Sequence, residues 1–381
     1  MMRAKKLMAV FFLLVIFSCI ISSISRAFPD VSAVAVVIYD PDFDLVIYEK
    51  NAAQRRSIAS LTKIMTILYV CELIQADVIS LDDIVTASAN AAERGGTEIK
   101  IKSGEKFTVE ELLYAAALAS ANDAAVALAE YTAGSEKEFA GLMTKRAWEL
   151  GLTDTNFVDA TGLLSIYSGN YSTAYEMALL SQFAMENELF KHFVSTKEYE
   201  LKSKGRTITN SNVLLDKVDG VNGIKTGATT PAGHTLITSV ERNERRLIIV
   251  VLGAPSREIR NSQSEELVEY TYSHLQVFIP KGEVISKMNV PDGLTHLIDA
   301  VMDRELSLFN FNDRYTDIET KYQLLDKRAP IEKGDKVGEL IVLHQNEKIA
   351  SIDLIAGQNT GLASFLRRLW NRLVQFFMDL F

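Results

Sequence analysis

The stretch Ser60-Leu61-Thr62-Lys63-Ile64-Met65-Thr66-Ile67-Leu68 decides how the chain is interpreted. Its apolar residues follow a helical period, which predicts a helix over residues 60 to about 74. A spacing of three residues places Ser60 and Lys63 one turn apart on the same helix face. A lysine that is buried beside another cation has a lowered pKa, so it can accept the serine proton as a neutral amine. The pattern therefore predicts a serine nucleophile with a lysine base, and the helix N-terminus beneath Ser60 favours negative charge there.

A second Ser-x-x-Lys match is present at Ser103-Gly104-Glu105-Lys106. Such a match arises by chance about once or twice in a chain of this size. The second copy contains a glycine and precedes a helix start at Thr108, so it is predicted to be a turn. The Ser60 copy leads instead into an apolar helix and is preferred as the nucleophile.

Ser120-Ala121-Asn122 lies where one predicted helix, residues 109–119, gives way to another, residues 123–131. A hydroxyl and an amide at such a break can face a nucleophile across a cleft. The same tripeptide recurs at Ser88-Ala89-Asn90, and a similar one is Ser168-Gly169-Asn170. Both extra copies are predicted to be ordinary turn or cap residues.

Lys225-Thr226-Gly227 precedes a predicted strand, residues 234–241. Lysine and threonine on a strand can bind a substrate carboxylate, and glycine lets the backbone of a ligand lie close. A chance match to this tripeptide is expected about a tenth of a time in such a chain. Together with the two other motifs, in this order, it strongly indicates an acyl-transfer site.

Strand patterns occur near both ends of this region. Residues 33–39 and 45–49 flank a turn and predict a β-hairpin, and residues 234–241 and 246–253 predict a second one. Residues 247–252 are apolar without alternation, which is typical of a central strand in a sheet covered by helices on both faces.

Helices are predicted between and after these strands. Capping boxes predict helix starts at three places, and a further helix is predicted over residues 261–274; the capping pairs are Thr108 with Glu111, Ser135 with Glu138, and Thr173 with Glu176. From residue 277 to about 356, short apolar runs separated by Pro and Gly turns predict a small all-β domain.

The N-terminal 27 residues have the pattern of a secretory signal peptide: a basic start, an apolar run and the small residues Ser25 and Ala27 before a cleavage point. An uncleaved membrane anchor is the alternative. Removal of this segment takes the net charge from -9 to -13, because it carries four basic residues and no acidic one. An acidic chain of this kind argues against a nucleic-acid partner.

Cysteine and histidine usage predicts neither a disulfide nor a metal centre. Cys19 lies in the signal segment, so Cys71 has no internal partner and is predicted to be a small buried hydrophobe. The five histidines are scattered without metal-ligand spacing. No cofactor is predicted.

The C-terminal segment, residues 362–381, has a helical period with an apolar, aromatic side and a basic side. Leu366, Trp370, Leu373, Phe377 and Phe381 fall on the first side. The segment is predicted to lie in the surface of a membrane with its arginines at anionic headgroups. The alternative is a helix packed on its own β-domain or on a second copy of the chain.

The motif set resembles that of the active-site serine penicillin-recognising enzymes. The wider sequence is similar to the low-molecular-mass D-alanyl-D-alanine carboxypeptidases, densely over residues 29–275 and more faintly over residues 330–338. The stretches that carry the resemblance are Ser57-Ile58-Ala59-Ser60-Leu61-Thr62-Lys63-Ile64-Met65-Thr66, Ser120-Ala121-Asn122-Asp123-Ala124-Ala125, Thr155-Asn156-Phe157 with Thr161-Gly162-Leu163, Tyr171-Ser172-Thr173-Ala174, and Gly223-Ile224-Lys225-Thr226-Gly227-Ala228-Thr229.

The resemblance implies an α/β (α+β) catalytic domain of the β-lactamase/transpeptidase-like type, with an antiparallel sheet covered by helices. It implies the boundaries 1–27 for the signal peptide, 28–275 for the catalytic domain, 276–357 for a β-rich domain and 358–381 for an amphipathic anchor helix. The enzyme would be exported and would act at the outer face of the cytoplasmic membrane, on peptidoglycan stem peptides ending in D-Ala-D-Ala. β-Lactams would inhibit it.

The resemblance also implies roles for individual residues. Ser60 would be acylated, Lys63 would be the base, and Ser120 and Asn122 would relay protons and hold the substrate amide. Substrate binding would fall to Lys225, Thr226, Gly227, Ala228, Thr229 and Arg260. Backbone N–H groups of Ser60 and Ala228 would form the oxyanion hole.

The chain departs from the family at Ala228, where a larger side chain is common, at His234, where an aromatic residue is common, and at Asn170, where a histidine often stands. These departures leave the three motifs whole and bear on specificity and rate. Two alternatives remain at this point: a β-lactamase, although no Glu-x-x-Leu-Asn stretch lies between Asn122 and Lys225, and a non-catalytic wall-binding scaffold of the same fold.

Overall fold

The computed structural model describes residues 28–163, 169–311, 315 and 317–378. The chain divides into two units, residues 1–31 and 32–381. Of the first unit only residues 28–31 are described, and they form neither helix nor strand. The predicted signal peptide therefore lies outside the described residues.

The strands of the second unit fall into two groups along the chain. Those before residue 260 are β1 (Ala35–Asp40), β2 (Leu45–Lys50), β3 (Arg56–Ser57), β4 (Ile84–Thr86), β5 (Lys106–Thr108), β6 (Tyr171–Ser172), β7 (Glu198–Leu201), β8 (Arg206–Thr209), β9 (Val221–Thr229), β10 (Gly233–Arg242) and β11 (Arg245–Ala254). Those that follow are β12 (Leu275–Ile279), β13 (Val284–Asn289), β14 (Leu297–Met302), β15 (Leu306–Phe309), β16 (Ile318–Leu324), β17 (Lys336–His344) and β18 (Glu347–Ala356).

The helices lie mostly between β3 and β9. They are α1 (Lys63–Gln75), α2 (Ala89–Ala92), α3 (Val109–Ala117), α4 (Asn122–Ala133), α5 (Glu136–Glu149), α6 (Ala174–Glu186), α7 (Glu188–Ser195), α8 (Leu214–Lys217), α9 (Arg257–Ser273) and α10 (Phe365–Met378). A short 3-10 turn, Ala59–Thr62, leads directly into α1.

The main sheet has five antiparallel strands in the order β2-β1-β11-β10-β9. Strand β11 is central, as its apolar run predicted, and all its residues from Leu247 to Leu252 are fully buried. Ile248, Val250 and Leu252 belong to the helical core. The alternate residues of β11 point to the opposite face, because side chains alternate along a strand. Helix α9 packs on β10 and β11, and α6 packs on β1 and β11.

The two predicted hairpins are confirmed. Strands β1 and β2 pair through the turn after Asp40, and β10 and β11 pair through a turn at Asn243 and Glu244. Both turn residues have positive φ, +52° and +61°, which a two-residue turn between twisted strands requires.

The predicted helix starts are also confirmed. Thr108, Ser135 and Thr173 each accept a hydrogen bond from the backbone N–H three residues later. The reciprocal bond of a capping box forms only at Thr108. Helix α9 begins earlier than residue 261, because Ser256 caps it by accepting from Ile259 N.

The extra copies of the motifs are structural where they are described. Ser88 caps α2, as predicted, and Ser103-Gly104 forms a turn before β5. Ser168 lies outside the described residues. Cys71 is completely buried in the helical core. No group of His, Cys, Asp or Glu side chains within the described ranges could hold a metal ion.

The C-terminal strands form the predicted all-β domain. Its larger sheet has the order β13-β14-β18-β17-β16, and β12 pairs with β15. Its hydrophobic core includes Phe43, which reaches in from the turn between β1 and β2. None of the helices within the described residues has both the length and the apolar character that crossing a bilayer requires.

Candidate active site

Ser60 and Lys63 lie at the junction between the 3-10 turn and α1. Ala59 has a positive φ of +49° and is completely buried. Gly162 packs against it so closely that a Cβ on the glycine would lie 1.8 Å from the carbonyl oxygen of Ala59. Lys63 Nζ lies 3.2 Å from Ser60 Oγ, so the predicted nucleophile and base are within hydrogen-bonding reach.

The Lys63 amine is fully buried and has two further partners. Its Nζ donates to Asn122 Oδ1 at 2.7 Å and to the carbonyl oxygen of Thr161 at 2.9 Å. Burial lowers the pKa of Lys63 to about 7, against the opposing charge of Asp159 and with a smaller lowering from Arg94. A neutral amine donates two hydrogens and keeps one lone pair. Asn122 and Thr161 can take the two hydrogens, which leaves the lone pair for the Ser60 hydroxyl.

Ser120 and Asn122 take different positions at the start of α4. Ser120 has a left-handed φ of +59°, a conformation that is uncommon outside glycine, and its side chain lines the active-site cavity. Asn122 is buried behind the cavity against Lys63. Its backbone N–H donates to Thr97 O at 2.7 Å and its Nδ2 donates to Gly95 O at 2.8 Å.

Strand β9 forms the opposite wall of the cavity. Thr226 and Gly227 line it, and Lys225 is buried with 1% exposure. A Cβ on Gly227 would lie 2.6 Å from Thr235 Oγ1 and 3.0 Å from Ser60 N, so only glycine lets the strand approach the Ser60 turn.

The last residues of β9 differ in position. Ala228 lines the cavity. Thr229 lies outside the cavity lining, and its hydroxyl accepts from Ala232 N at 3.3 Å.

The cationic side chains of Lys225 and Arg260 have lowered pKa values. Burial, then Lys63 and Arg260, hold the pKa of Lys225 well below its usual range. Burial lowers the pKa of Arg260 to about 10. Arg260 donates through Nε and Nη2 to Asn261 Oδ1, at 3.0 and 2.8 Å. Charging both buried lysines, Lys63 and Lys225, at once costs free energy because like charges repel. An anion that enters the cavity would offset this cost and favour protonation of a lysine amine.

The cavity has a volume of about 340 Å³ and brings together residues that are far apart in the chain. It is lined by Ser60, Thr97, Ala119, Ser120, Ser211, Thr226, Gly227, Ala228, His234, Arg257 and Arg260. A larger depression of about 800 Å³ lies beside β2 and Tyr175, but its lining contains no serine, cysteine or lysine. The smaller cavity, which Ser60 lines, is therefore the candidate active site.

Sequence reasoning missed several residues of this lining. Ser211 carried no local signal, because its hydroxyl meets Thr226 Oγ1 only in the folded chain, at 2.7 Å. Arg257 lies one turn before Arg260 on α9, so helical spacing pointed to it. His234, which sequence reasoning named only as a departure from the family, pairs with Ala228 across β9 and β10.

The sheet, the flanking helices and a Ser-Lys pair with a buried lysine, beside a Lys-Thr-Gly strand, define the chain as a serine-type hydrolase of the penicillin-recognising class. Residues 22–256 match the family described as D-alanyl-D-alanine carboxypeptidase, and residues 274–361 match the C-terminal domain of penicillin-binding protein 5. The chain belongs to this carboxypeptidase family.

Individual relatives agree with the assignment. The chain is 34% identical to D-alanyl-D-alanine carboxypeptidase DacF of Bacillus subtilis, over 88% of each chain. It is 32% identical to DacC of Escherichia coli, over 93% of this chain and 90% of that protein. The crystal structure of penicillin-binding protein 5 from Haemophilus influenzae is similar with a TM-score of 0.68 and 28% identity, covering 88% of this chain and all of the other.

Proposed function

We propose that the chain removes the terminal D-alanine from peptidoglycan stem peptides through an acyl-enzyme on Ser60. Membership in the family gives the reaction class, a serine-type D-Ala-D-Ala carboxypeptidase. The single observation that carries the residue assignment is the buried Lys63 amine, 3.2 Å from Ser60 Oγ and held by Asn122 and Thr161.

Acylation begins when neutral Lys63 takes the Ser60 proton. Ser60 Oγ then attacks the carbonyl carbon of the penultimate D-alanine. The backbone N–H groups of Ser60 and Ala228 stabilise the oxyanion, a contribution of about 3 kcal/mol for each well-placed donor. The close approach of Gly227 to Ser60 N supports this placement, since it brings β9 against the nucleophile turn.

Collapse of the tetrahedral intermediate expels D-alanine. Ser120, which lines the cavity, passes a proton to the departing amine, and Asn122 keeps Lys63 in place to supply that proton. Water then attacks the ester, with Lys63 again as base, and releases the shortened peptide.

The substrate carboxylate binds at the β9 wall. Thr226 offers a hydroxyl to it, and Arg260 and Lys225 supply positive charge. Because burial and the neighbouring cations depress the pKa of Lys225, we expect this amine to gain its proton as the carboxylate arrives. Lys225 would then carry its charge only when a carboxylate is bound.

The test is release of D-alanine from a purified muropeptide ending in D-Ala-D-Ala. Purified chain should release one D-alanine per stem peptide, and Ser60→Ala should release none. If the wild-type protein binds the muropeptide without releasing D-alanine, the chain is a binding scaffold and the proposal is wrong.

We also propose the domain boundaries 28–275 and 276–357, with residues 1–27 as a signal peptide that directs the enzyme to the outer face of the cytoplasmic membrane. Two hydrophobic cores support the division: one lies within residues 28–275, and the other takes all its buried members except Phe43 from residues 276–357. The basic, apolar and small-residue order of residues 1–27 supports export.

Residues 358–381 are proposed to hold the enzyme on the membrane surface. In α10, Asn371 is buried and donates to Pro291 O and Gly293 O of the β-domain. Phe365, Leu366 and Trp370 are exposed at 71%, 77% and 62%. An exposed face of this composition suits burial at the boundary between headgroups and acyl chains. The side chains of residues 372–381 lie outside the described part of the chain.

A further inference from the structure

A buried ion cluster lies directly behind Lys63, outside the three motifs. Arg94 Nη2 lies 3.0 Å from Glu136 Oε1 and 3.6 Å from Asp159 Oδ1. The side chains of Arg94, Glu136 and Asp159 are only 16%, 13% and 2% exposed. Such burial makes the cluster sensitive to the loss of any one charge, because each partner would be left uncompensated.

Asp159 shapes the turn that holds Lys63. Its Oδ1 accepts from Thr161 N at 2.6 Å, Thr161 Oγ1 at 2.7 Å and Gly162 N at 2.6 Å. The carbonyl oxygen of Thr161, presented by this turn, accepts from Lys63 Nζ. The carboxylate therefore fixes one of the two acceptors of the base.

Arg94 is connected to the other acceptor, Asn122, through the residue that follows it in the chain. The next residue, Gly95, accepts the Asn122 Nδ2 hydrogen bond at 2.8 Å, which orients the amide so that Oδ1 faces Lys63. Arg94 Nη2 also lies 3.4 Å from Thr161 Oγ1. Both acceptors of the lysine are thus connected to Arg94.

We infer that Arg94, Asp159 and Glu136 form a positioning network that sets the orientation and the charge state of Lys63. This inference rests on the proposed role of Lys63 as the base. The three residues do not touch the cavity, so they act through Thr161, Asn122 and the field at the amine.

The charges of the network act on Lys63 in opposite directions. Asp159 raises the pKa of the amine and Glu136 raises it less, whereas Arg94 lowers it. Asp123, whose carboxylate accepts from Ile99 N and Ile101 N, also raises it. On the β9 side, the charge of Lys63 lowers the pKa of Lys225. Removal of each neighbouring charge should therefore shift the pKa of Lys63 in a known direction.

The experiment measures the rate of penicillin acylation as a function of pH, by intact-protein mass spectrometry. In Asp159→Asn the loss of a negative charge should lower the Lys63 pKa and move the acidic limb of the profile to lower pH. In Arg94→Gln the limb should move to higher pH. Each shift should be about one unit, the lower end of the effect of a close charge. Arg94→Lys keeps the charge and should keep the wild-type limb.

The controls are Arg55→Gln and Asp154→Asn, which break an ion pair that is 56% and 44% exposed. Both should leave the profile unchanged. If Asp159→Asn does not fold, as judged by its melting curve, Glu136→Gln tests the same negative charge and should shift the limb in the same direction. Limbs that stay in place, or that move the same way in Arg94→Gln and in the carboxylate variants, would overturn the inference. Failure of the wild-type protein to acylate would overturn the proposed function instead.

Discussion

The hydroxyl oxygen of Ser211 lies 2.7 Å from that of Thr226. Ser211 is itself held by its backbone N–H, which donates to Leu118 O at the end of α3. The pair connects the strand that is proposed to bind the substrate carboxylate with the helical part of the domain. Thr226 is therefore held with its hydroxyl at the cavity.

Replacement of Ser211 by alanine should weaken substrate binding. A lost hydroxyl hydrogen bond costs about 1 kcal/mol, so KM for a D-Ala-D-Ala peptide should rise about fivefold. The turnover number should change less, because Ser211 does not contact Lys63. Steady-state kinetics on a D-Ala-D-Ala peptide measure both. Ser262→Ala, an exposed serine of α9, is the matched control and should leave KM as it is. An unchanged KM in Ser211→Ala would contradict this role.

Penicillin should form a stable ester at Ser60, because its carboxylate and amide mimic the D-Ala-D-Ala end and its leaving amine stays tethered. Intact-protein mass spectrometry should show one adduct on the wild-type chain and none on Ser60→Ala. Ser103→Ala, in the second Ser-x-x-Lys copy, should label at the wild-type rate, since Ser103 lies in a turn before β5. A label that maps to Ser103 would show that the nucleophile is misassigned.

The two lysines of the site should respond differently to arginine. Lys63→Arg should abolish acylation, because a guanidinium does not give up its proton at working pH. Lys225→Arg keeps a positive charge for the carboxylate and should retain part of the activity. Rates of penicillin labelling measure both variants. Equal losses would contradict the division between base and carboxylate clamp.

Acylation should depend on pH with an acidic limb near pH 7. The pKa of buried Lys63 is about 7, and only its neutral form accepts the serine proton. Below that pH the protonated fraction rises, so the rate should fall about tenfold for each further pH unit. Labelling rates between pH 5 and 9, with folding monitored by circular dichroism, test this expectation. A rate that is flat across this range would show that Lys63 is not the titrating base.

Truncation after Gly361 should release an active enzyme from the membrane. The removed segment contains α10 with its exposed Phe365, Leu366 and Trp370. Fractionation of cells that express the mature form measures the distribution of the enzyme. The control is a full-length Leu366→Ser, Trp370→Ser variant, which keeps Asn371 on the β-domain and should also become soluble. A truncated chain that stays with the membrane would place the attachment elsewhere, in an uncleaved N-terminal segment.

The sequence alone predicted much of the fold. The unbroken apolar run in β11 predicted a central strand, because a strand without alternation must be covered on both faces. The caps at Thr108, Ser135 and Thr173 predicted helix starts, since such caps use only residues within one turn. Signals of this kind are local, and the boundaries moved by only a few residues, as at the Ser256 cap of α9.

The sequence also indicated which residues could do the chemistry, because the three-residue spacing of Ser60 and Lys63 makes them neighbours once their segment is helical. Only the tertiary structure decided what surrounds the lysine. Thr161 and Asn122, which take its two hydrogens, are 98 and 59 residues away in sequence. The charge state of the amine depends on its burial and on distances to Arg94 and Asp159. Desolvation and Coulomb interactions act through space and leave no periodic trace in a sequence, so the folded chain alone sets them.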